Sequence, residues 1–408
     1  MFLEKFIIYI FLTILLLIIT KSKGFLEPIL NKYPTQSFLL FCLFFRIIPF
    51  ILIYIVLNLD ARSDVLMFYD SAKHAMRGEI VYKDFESAYS PLFAYVTSLP
   101  LFIWDNPKAI ILEMILLEIG IIWISFRLSN ASIFWALFYQ CLPASFVLSV
   151  LGGQEDIWMW GMVALALFVY KKTKNEFVLG LILGIGFLVS KALFILLFPS
   201  LFIFSKRRIP FLAGLICIGI PAFIVLFYNM QWDFLMPIQQ ANDPRLPNIW
   251  SILHPITNGI IPLGPKWINW FGLSSLLFLG FYINFAFHRE NYFEFITKLF
   301  IGLFAWMMIS QQSSVGNYLY AILLPIILFF NEQIDKKFII YLCVLNLGVV
   351  LQAPLWWSMG MPYFHSLKDL ANANALAEYI LEFCVIIPLI WIIWKTVFQK
   401  NKVILSDD

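Results

Sequence analysis

Residues 37–93 decide how this chain is read: SFLLFCLFFRIIPFILIYIVLNLDARSDVLMFYDSAKHAMRGEIVYKDFESAYSPLF. The first part, 37–58, is an apolar run of the length that crosses a bilayer as a helix, about 20 residues. The second part gathers Asp64, Asp70, Lys73, His74, Arg77, Glu79, Lys83, Asp84 and Glu86. A chain that is otherwise mostly hydrocarbon thus places a concentration of ionisable groups directly after a membrane-length span.

The rest of the chain sets that contrast. Of 408 residues, 62% are hydrophobic and 13% charged, against roughly 25% charged in a soluble domain. This leaves no room for a sizeable soluble domain, so residues 1–408 read as one integral membrane domain. The apolar runs suit helices and lack the alternation of a membrane barrel. The expected class is an all-α polytopic membrane protein. A net charge of +3 gives no reason to expect a nucleic-acid partner; the bilayer is the expected environment. Cys42, Cys141, Cys217, Cys343 and Cys384 all sit inside apolar runs without metal-ligand spacing and read as small buried hydrophobes. The N-terminal MFLEKFIIYIFLTILLLIITKSKG has a signal-like charge and apolar core but no small-x-small cleavage site, and reads as a retained helix.

Candidate spans are 5–20, 37–58, 108–127, 132–150, 155–170, 177–190, 192–204, 209–228, 268–287, 295–311, 317–330, 338–356 and 375–395, several of them short enough to be broken. About eleven to thirteen crossings are expected. Basic or mixed short loops at 171–176, 205–208, 288–294 and 331–337, with the tail from Lys395, belong on the cytoplasmic side. The loops left outside are 59–107, 151–154, 190–191, 229–267, 311–316 and 357–374, and the same alternation puts the N-terminus outside. The segment PLFAYVTSLPLFIW, 91–104, is too short for an easy span and carries Pro91 and Pro100. It is expected to be re-entrant or interfacial.

Within the opening stretch, Ser63 can cap a helix starting at Asp64, and Gly78 can end it. Asp70, Lys73, His74 and Arg77 then share one polar face of a short amphipathic helix on the membrane surface. Asp64 stands at the junction of span and helix. A carboxylate at a membrane edge is a functional candidate by default.

The order of a span, Asp64, Asp70-Ser71-Ala72, Gly78, Tyr82 and Tyr89-Ser90-Pro91-Leu92 resembles the first outer loop of GT-C fold glycosyltransferases. It is most similar to glycosyltransferase family 87, the polyprenol-phosphate-mannose-dependent mannosyltransferases, and to the catalytic subunit of GPI mannosyltransferase I. The latter has Asp-x-Asp where this chain has Arg62 and Asp64; Asp60 lies further upstream. Gly153, Gln154, Asp156, Gly180, Gly184, Gly186, Lys191 and Pro199 form a second similar block. Asn317, Tyr318, Tyr320 and Pro325 form a third. The resemblance covers roughly residues 60–330 and implies a GT-C-type bundle that moves a hexose, mannose by preference, from a polyprenyl-phosphate-sugar donor to a lipid-linked or envelope glycan acceptor. It also implies inversion at the anomeric carbon, Asp64 as general base, and contacts from Tyr89 and Tyr318.

Such a transfer needs a base for the acceptor hydroxyl and cations for the leaving phosphate. Lys191 falls at the outer end of a hairpin whose far ends are basic. Arg245 and His254 lie in a long Pro-rich outer loop. With His74 and Asp70, these are the candidate donor-binding residues. Gln154 and Asp156 begin a span from the outside and are candidates for hydroxyl recognition. A lipid-phosphate donor carries one phosphate, so no cofactor and no obligatory metal are expected. The membrane implied is a bacterial plasma membrane, or the endoplasmic reticulum in a eukaryote, with the site facing outside. The alternatives are a transporter or flippase of lipid-linked sugars, a non-catalytic scaffold, or a related transferase with another sugar.

Overall fold

A computed structural model describes residues 2–236 and 243–399. Among these the chain is helical, with a single isolated bridge between Val81 and Phe85 and no strand. It is an all-α polytopic membrane protein. Eight helices are long and apolar enough to cross a bilayer: Phe2–Lys21, Pro34–Val56, Pro107–Ser129, Arg208–Met230, Lys266–Phe287, Tyr292–Ser310, Lys336–Ser358 and Ala373–Phe398. Phe134–Gln140 and Pro143–Leu151, bent by 68°, form a broken span or a re-entrant loop and bring the number of crossings to nine if they count as one span. The bend falls at Leu142, which is extended because the residue before a proline is driven out of the α region. The remaining expected spans are shorter helices: Ile157–Thr173, Glu176–Val189, Ala192–Phe204 and Gly316–Phe330. The eleven to thirteen expected crossings therefore divide into eight or nine of full length and several short legs.

Tyr292–Ser310 lies at the centre, almost wholly buried, whereas Phe2–Lys21 and Arg208–Met230 show most of their surface to lipid. Glu176–Val189 crosses Arg208–Met230 with the backbones touching. A Cβ on Gly180 would stand 2.2 Å from the Phe211 carbonyl oxygen, and one on Gly214 would stand 2.1 Å from that of Phe177. Small residues allow this close approach where no hydrophobic effect drives helices together in lipid. Deeper in the bundle Arg46 and Glu118 are fully buried and paired, Nε to Oε2 at 2.6 Å. Tyr139 and Ser149 also donate to Glu118, and Ser145 accepts from Arg46. Charges this deep persist only when paired and hydrogen-bonded.

The loops sort to two ends, as the charge pattern anticipates. At one end Gln154 meets Asn317, the Arg245 backbone N–H donates to the Gln312 carbonyl at 2.7 Å, and Tyr363 donates to the Pro244 carbonyl at 2.6 Å. Arg62 pairs with Glu4, so the N-terminal helix also starts at this end. At the other end Glu176 accepts from Ser205 and Tyr292. The 176–205 hairpin therefore closes there and turns at Lys191.

Three local expectations are corrected. The surface helix is Val65–Met76, and the residue before it, Asp64, makes no side-chain cap. Ser63 adopts φ +60 and does not cap the helix either. Cys217 is exposed, on the lipid-facing helix, while Cys42 and Cys141 are buried. Gly78 does end the helix, at φ +76, a region that glycine enters without a Cβ clash. Segment 91–104 forms the short helix Phe93–Phe102. Phe93, Ala94 and Leu101 are buried against the bundle and Leu99, Phe102 and Ile103 are exposed, which is the pattern of an element lying in the interface.

Candidate active site

Four breaks between helices meet at the end where Lys191 turns. They carry Asp64, the run Gln154–Asp156, Lys191 and Asn317. Packing explains why they meet. Gly153 has φ +55, and a Cβ there would come within 2.7 Å of Val65 Cγ2. Only glycine lets the 153 turn lie flat against the start of the surface helix. Behind it, Phe68, Tyr89, Phe93 and Trp158 form a continuous aromatic cluster with ring centroids 4.4–5.4 Å apart. This cluster fixes the surface helix and the interfacial segment to helix Ile157–Thr173. The Leu92 N–H also donates to the Leu188 carbonyl at 2.9 Å, fastening the interfacial segment just ahead of Lys191.

Asp64 occupies a position where a carboxylate ordinarily caps its own helix. Its Oδ2 instead accepts from Gln154 Nε2 at 3.1 Å. Gln154 Oε1 in turn accepts from Asn317 Nδ2 at 3.0 Å. The relay assigns both ends of the Gln154 amide and aims Asp64 into the cluster, with Oδ1 left for another donor.

Beside it, Lys191 is 15% exposed and doubly paired. Its Nζ stands 2.6 Å from Asp156 Oδ1 and 2.8 Å from Glu155 Oε1. It also lies over the Tyr318 ring at 4.6 Å and the Tyr89 ring at 5.4 Å. Such cation–π contacts add about 0.5–2 kcal/mol each. Burial disfavours the ammonium, but Asp156 and Glu155 outweigh it and hold Lys191 well above the usual lysine range. Burial likewise pushes the Glu155 carboxyl up, to about 7, against the downward pull of Lys191. Three carboxylates share this space with one ammonium.

Of the residues singled out from sequence, Asp64, Gln154, Asp156, Lys191, Tyr89 and Tyr318 come together. Arg245 flanks them within electrostatic reach of Tyr318. His254 belongs to a neighbouring contact: its Nε2 lies 2.9 Å from His365 Nδ1. Asp70 and His74 do not join the cluster. Asp70 is 81% exposed, and His74 bonds Glu79, which also takes Arg77. Lys73 of the same face reaches Asp105. That face is closed by its own loop.

Glu155 begins the same span as Gln154 and Asp156, and Asn317 belongs to the third similar block, but nothing in a linear sequence says that one is an ion-pair partner and the other the end of a relay. Among the described residues no three His, Cys, Asp or Glu side chains converge as a metal site. No family model matches this chain, and no curated protein or solved structure matches it either.

Proposed function

We propose that this protein is a membrane glycosyltransferase that uses Asp64 as its general base and takes a hexose, mannose by preference, from a polyprenyl-phosphate-sugar. The observation that carries the reading is the Asn317–Gln154–Asp64 relay. It spends the buried amide of Gln154 and the half-buried amide of Asn317 on orienting one carboxylate that caps nothing. In the reaction, Asp64 Oδ1 takes the proton of an acceptor hydroxyl. The acceptor oxygen bonds to the anomeric carbon from the face opposite the phosphate, and the bond from that carbon to the phosphate oxygen breaks. Polyprenyl phosphate leaves with the electron pair, and the configuration inverts. A glycolipid or envelope glycan is the acceptor, and the site faces away from the cytoplasm. Lys191, already neutralised by two carboxylates, sets the field of the site, while Arg245 is the nearby cation free of a side-chain ion pair among the described residues.

The test is transfer from a radiolabelled polyprenyl-phosphate-hexose in membranes containing wild type or Asp64→Asn at equal expression. Removing a general base lowers the rate by roughly 100- to 10,000-fold. Equal transfer by both proteins refutes Asp64 as base. Accumulation of labelled donor across the bilayer, with no transfer in wild type, supports instead a carrier of lipid-linked sugars; a charge triad lying in helix breaks is also a feature of transporters.

A further inference from the structure

The end of the bundle opposite Asp64 carries cations of a different kind. A cavity of about 770 Å³ opens there between the turn after Ala192–Phe204, the start of Arg208–Met230 and the end of Lys266–Phe287. It is lined by Lys206, Arg207, Arg208, His288 and Asn284. Unlike Lys191, none of these basic side chains has an ion-pair partner among the described residues. The helix beginning at Arg208 has no side-chain cap, so its first N–H groups and the positive end of its dipole add to the charge.

A second cavity, of about 500 Å³, runs along the same two helices and is apolar. Phe187, Phe198, Phe202, Leu212, Ile216 and Ile220 line it. On Arg208–Met230 the basic cavity reaches Ile209 and Pro210 and the apolar one begins at Leu212, a separation of only a few ångströms at 1.5 Å per residue. Ile209, Ile216 and Ile220 are exposed on a helix that faces lipid. A charged chamber at the membrane edge and a hydrocarbon groove beside it on the same helices have the two-part chemistry of an amphiphile with an anionic head.

We propose that this end of the bundle holds an anionic glycerophospholipid, its phosphate among Lys206, Arg207 and Arg208 and one acyl chain in the groove between Ala192–Phe204 and Arg208–Met230. The basic loop supplies what anionic headgroups seek at a membrane surface, and charge complementarity favours a lipid of net negative charge over a zwitterionic one of the same chain length. This lipid is distinct from the donor of the proposed transfer, whose phosphate would react at the far end of the bundle.

Delipidated, detergent-solubilised protein is titrated with dioleoyl-phosphatidylglycerol, dioleoyl-phosphatidylcholine or sodium phosphate. Bound lipid is read by native mass spectrometry and the unfolding midpoint by a thermal ramp. Saturable binding and a raised midpoint with phosphatidylglycerol alone are expected. The triple variant Lys206→Gln, Arg207→Gln, Arg208→Gln binds it roughly 100-fold more weakly, each basic side chain near an anionic surface being worth about a factor of 5. Gly219→Phe tests the groove without touching charge: Gly219 lines it, and a Cβ there meets nothing within 4 Å. It weakens phosphatidylglycerol binding while the phosphate response stays the same, and it keeps the test decisive should the triple variant fail to fold. Equal binding of phosphatidylcholine overturns the proposal, as does unchanged phosphatidylglycerol binding in Gly219→Phe. A response to phosphate as large as that to the lipid also overturns it, in favour of a free-anion site.

Discussion

Replacing Lys191 with Met separates two roles for this lysine: holding a substrate phosphate, or holding its own neighbours. Met keeps most of the volume and removes the charge. Glu155 and Asp156 are both about 1% exposed, and without Lys191 they face each other across a space from which water is largely excluded. Breaking a buried ion pair by removing one partner costs about 3–5 kcal/mol. The sign with pH follows from the carboxylates. Burial already raises Glu155 to about 7 with Lys191 pulling it down, so the variant raises it further and raises Asp156 with it. The folded variant then binds more protons than the unfolded chain, and its stability falls as pH rises, by about 1.4 kcal/mol per pH unit for each group in its titration window. Below the unfolded carboxylate range the penalty vanishes. The assay is reversible unfolding in mixed micelles, wild type against Lys191→Met, at pH 5 and pH 8. The gap should be small at pH 5 and clearly larger at pH 8, and a second change, Asp156→Asn, should recover part of it. A variant as stable as wild type at pH 8, with donor binding lost, refutes the reasoning and returns Lys191 to the phosphate.

Gln154→Leu removes the N–H that orients Asp64 and orphans Asn317. With a hydrogen bond to a charged group worth about 1.5–3 kcal/mol, kcat/KM for sugar transfer should fall roughly 10- to 100-fold at unchanged expression, as read by the radiolabel assay. Arg46→Met should destabilise the fold by about 3–5 kcal/mol, and Arg46→Met with Glu118→Leu by less, since the pair then leaves together; a double-mutant cycle in bicelles measures the difference. Gly153→Ala forces a Cβ onto Val65 at positive φ, costing about 1–3 kcal/mol and lowering transfer through displacement of Asp64; thermal unfolding and activity should fall together.

Much of this was legible because the bilayer enforces simple rules. Apolar length located the helices, and the basic loops sorted the breaks into two groups that do meet at opposite ends. Asp64 and Lys191 stood out as charges at junctions with hydrocarbon. The surface helix misled for a physical reason: a polar face at helical spacing shows that side chains share a side, not what closes over it, and Glu79 and Asp105 take Lys73, His74 and Arg77 away from the site. Ser63 failed as a cap because the turn before Asp64 needs positive φ. Glu155 and Asn317 were invisible as partners because their contacts join segments far apart in the chain. Arg46 and Glu118 did leave a signal, opposite charges in two expected spans, which composition alone does not pair.

The relay through Gln154 has a consequence for biosynthesis. Its last member, Asn317, follows Gln154 by 163 residues, which is roughly 8–33 s of translation at 5–20 residues per second. Asp64 is already at the membrane surface throughout that interval, with neither amide locked. The polar end of the bundle is therefore completed late: a chain truncated before residue 317 can insert its early spans but leaves Gln154 without the Asn317 bond that fixes its amide against Asp64.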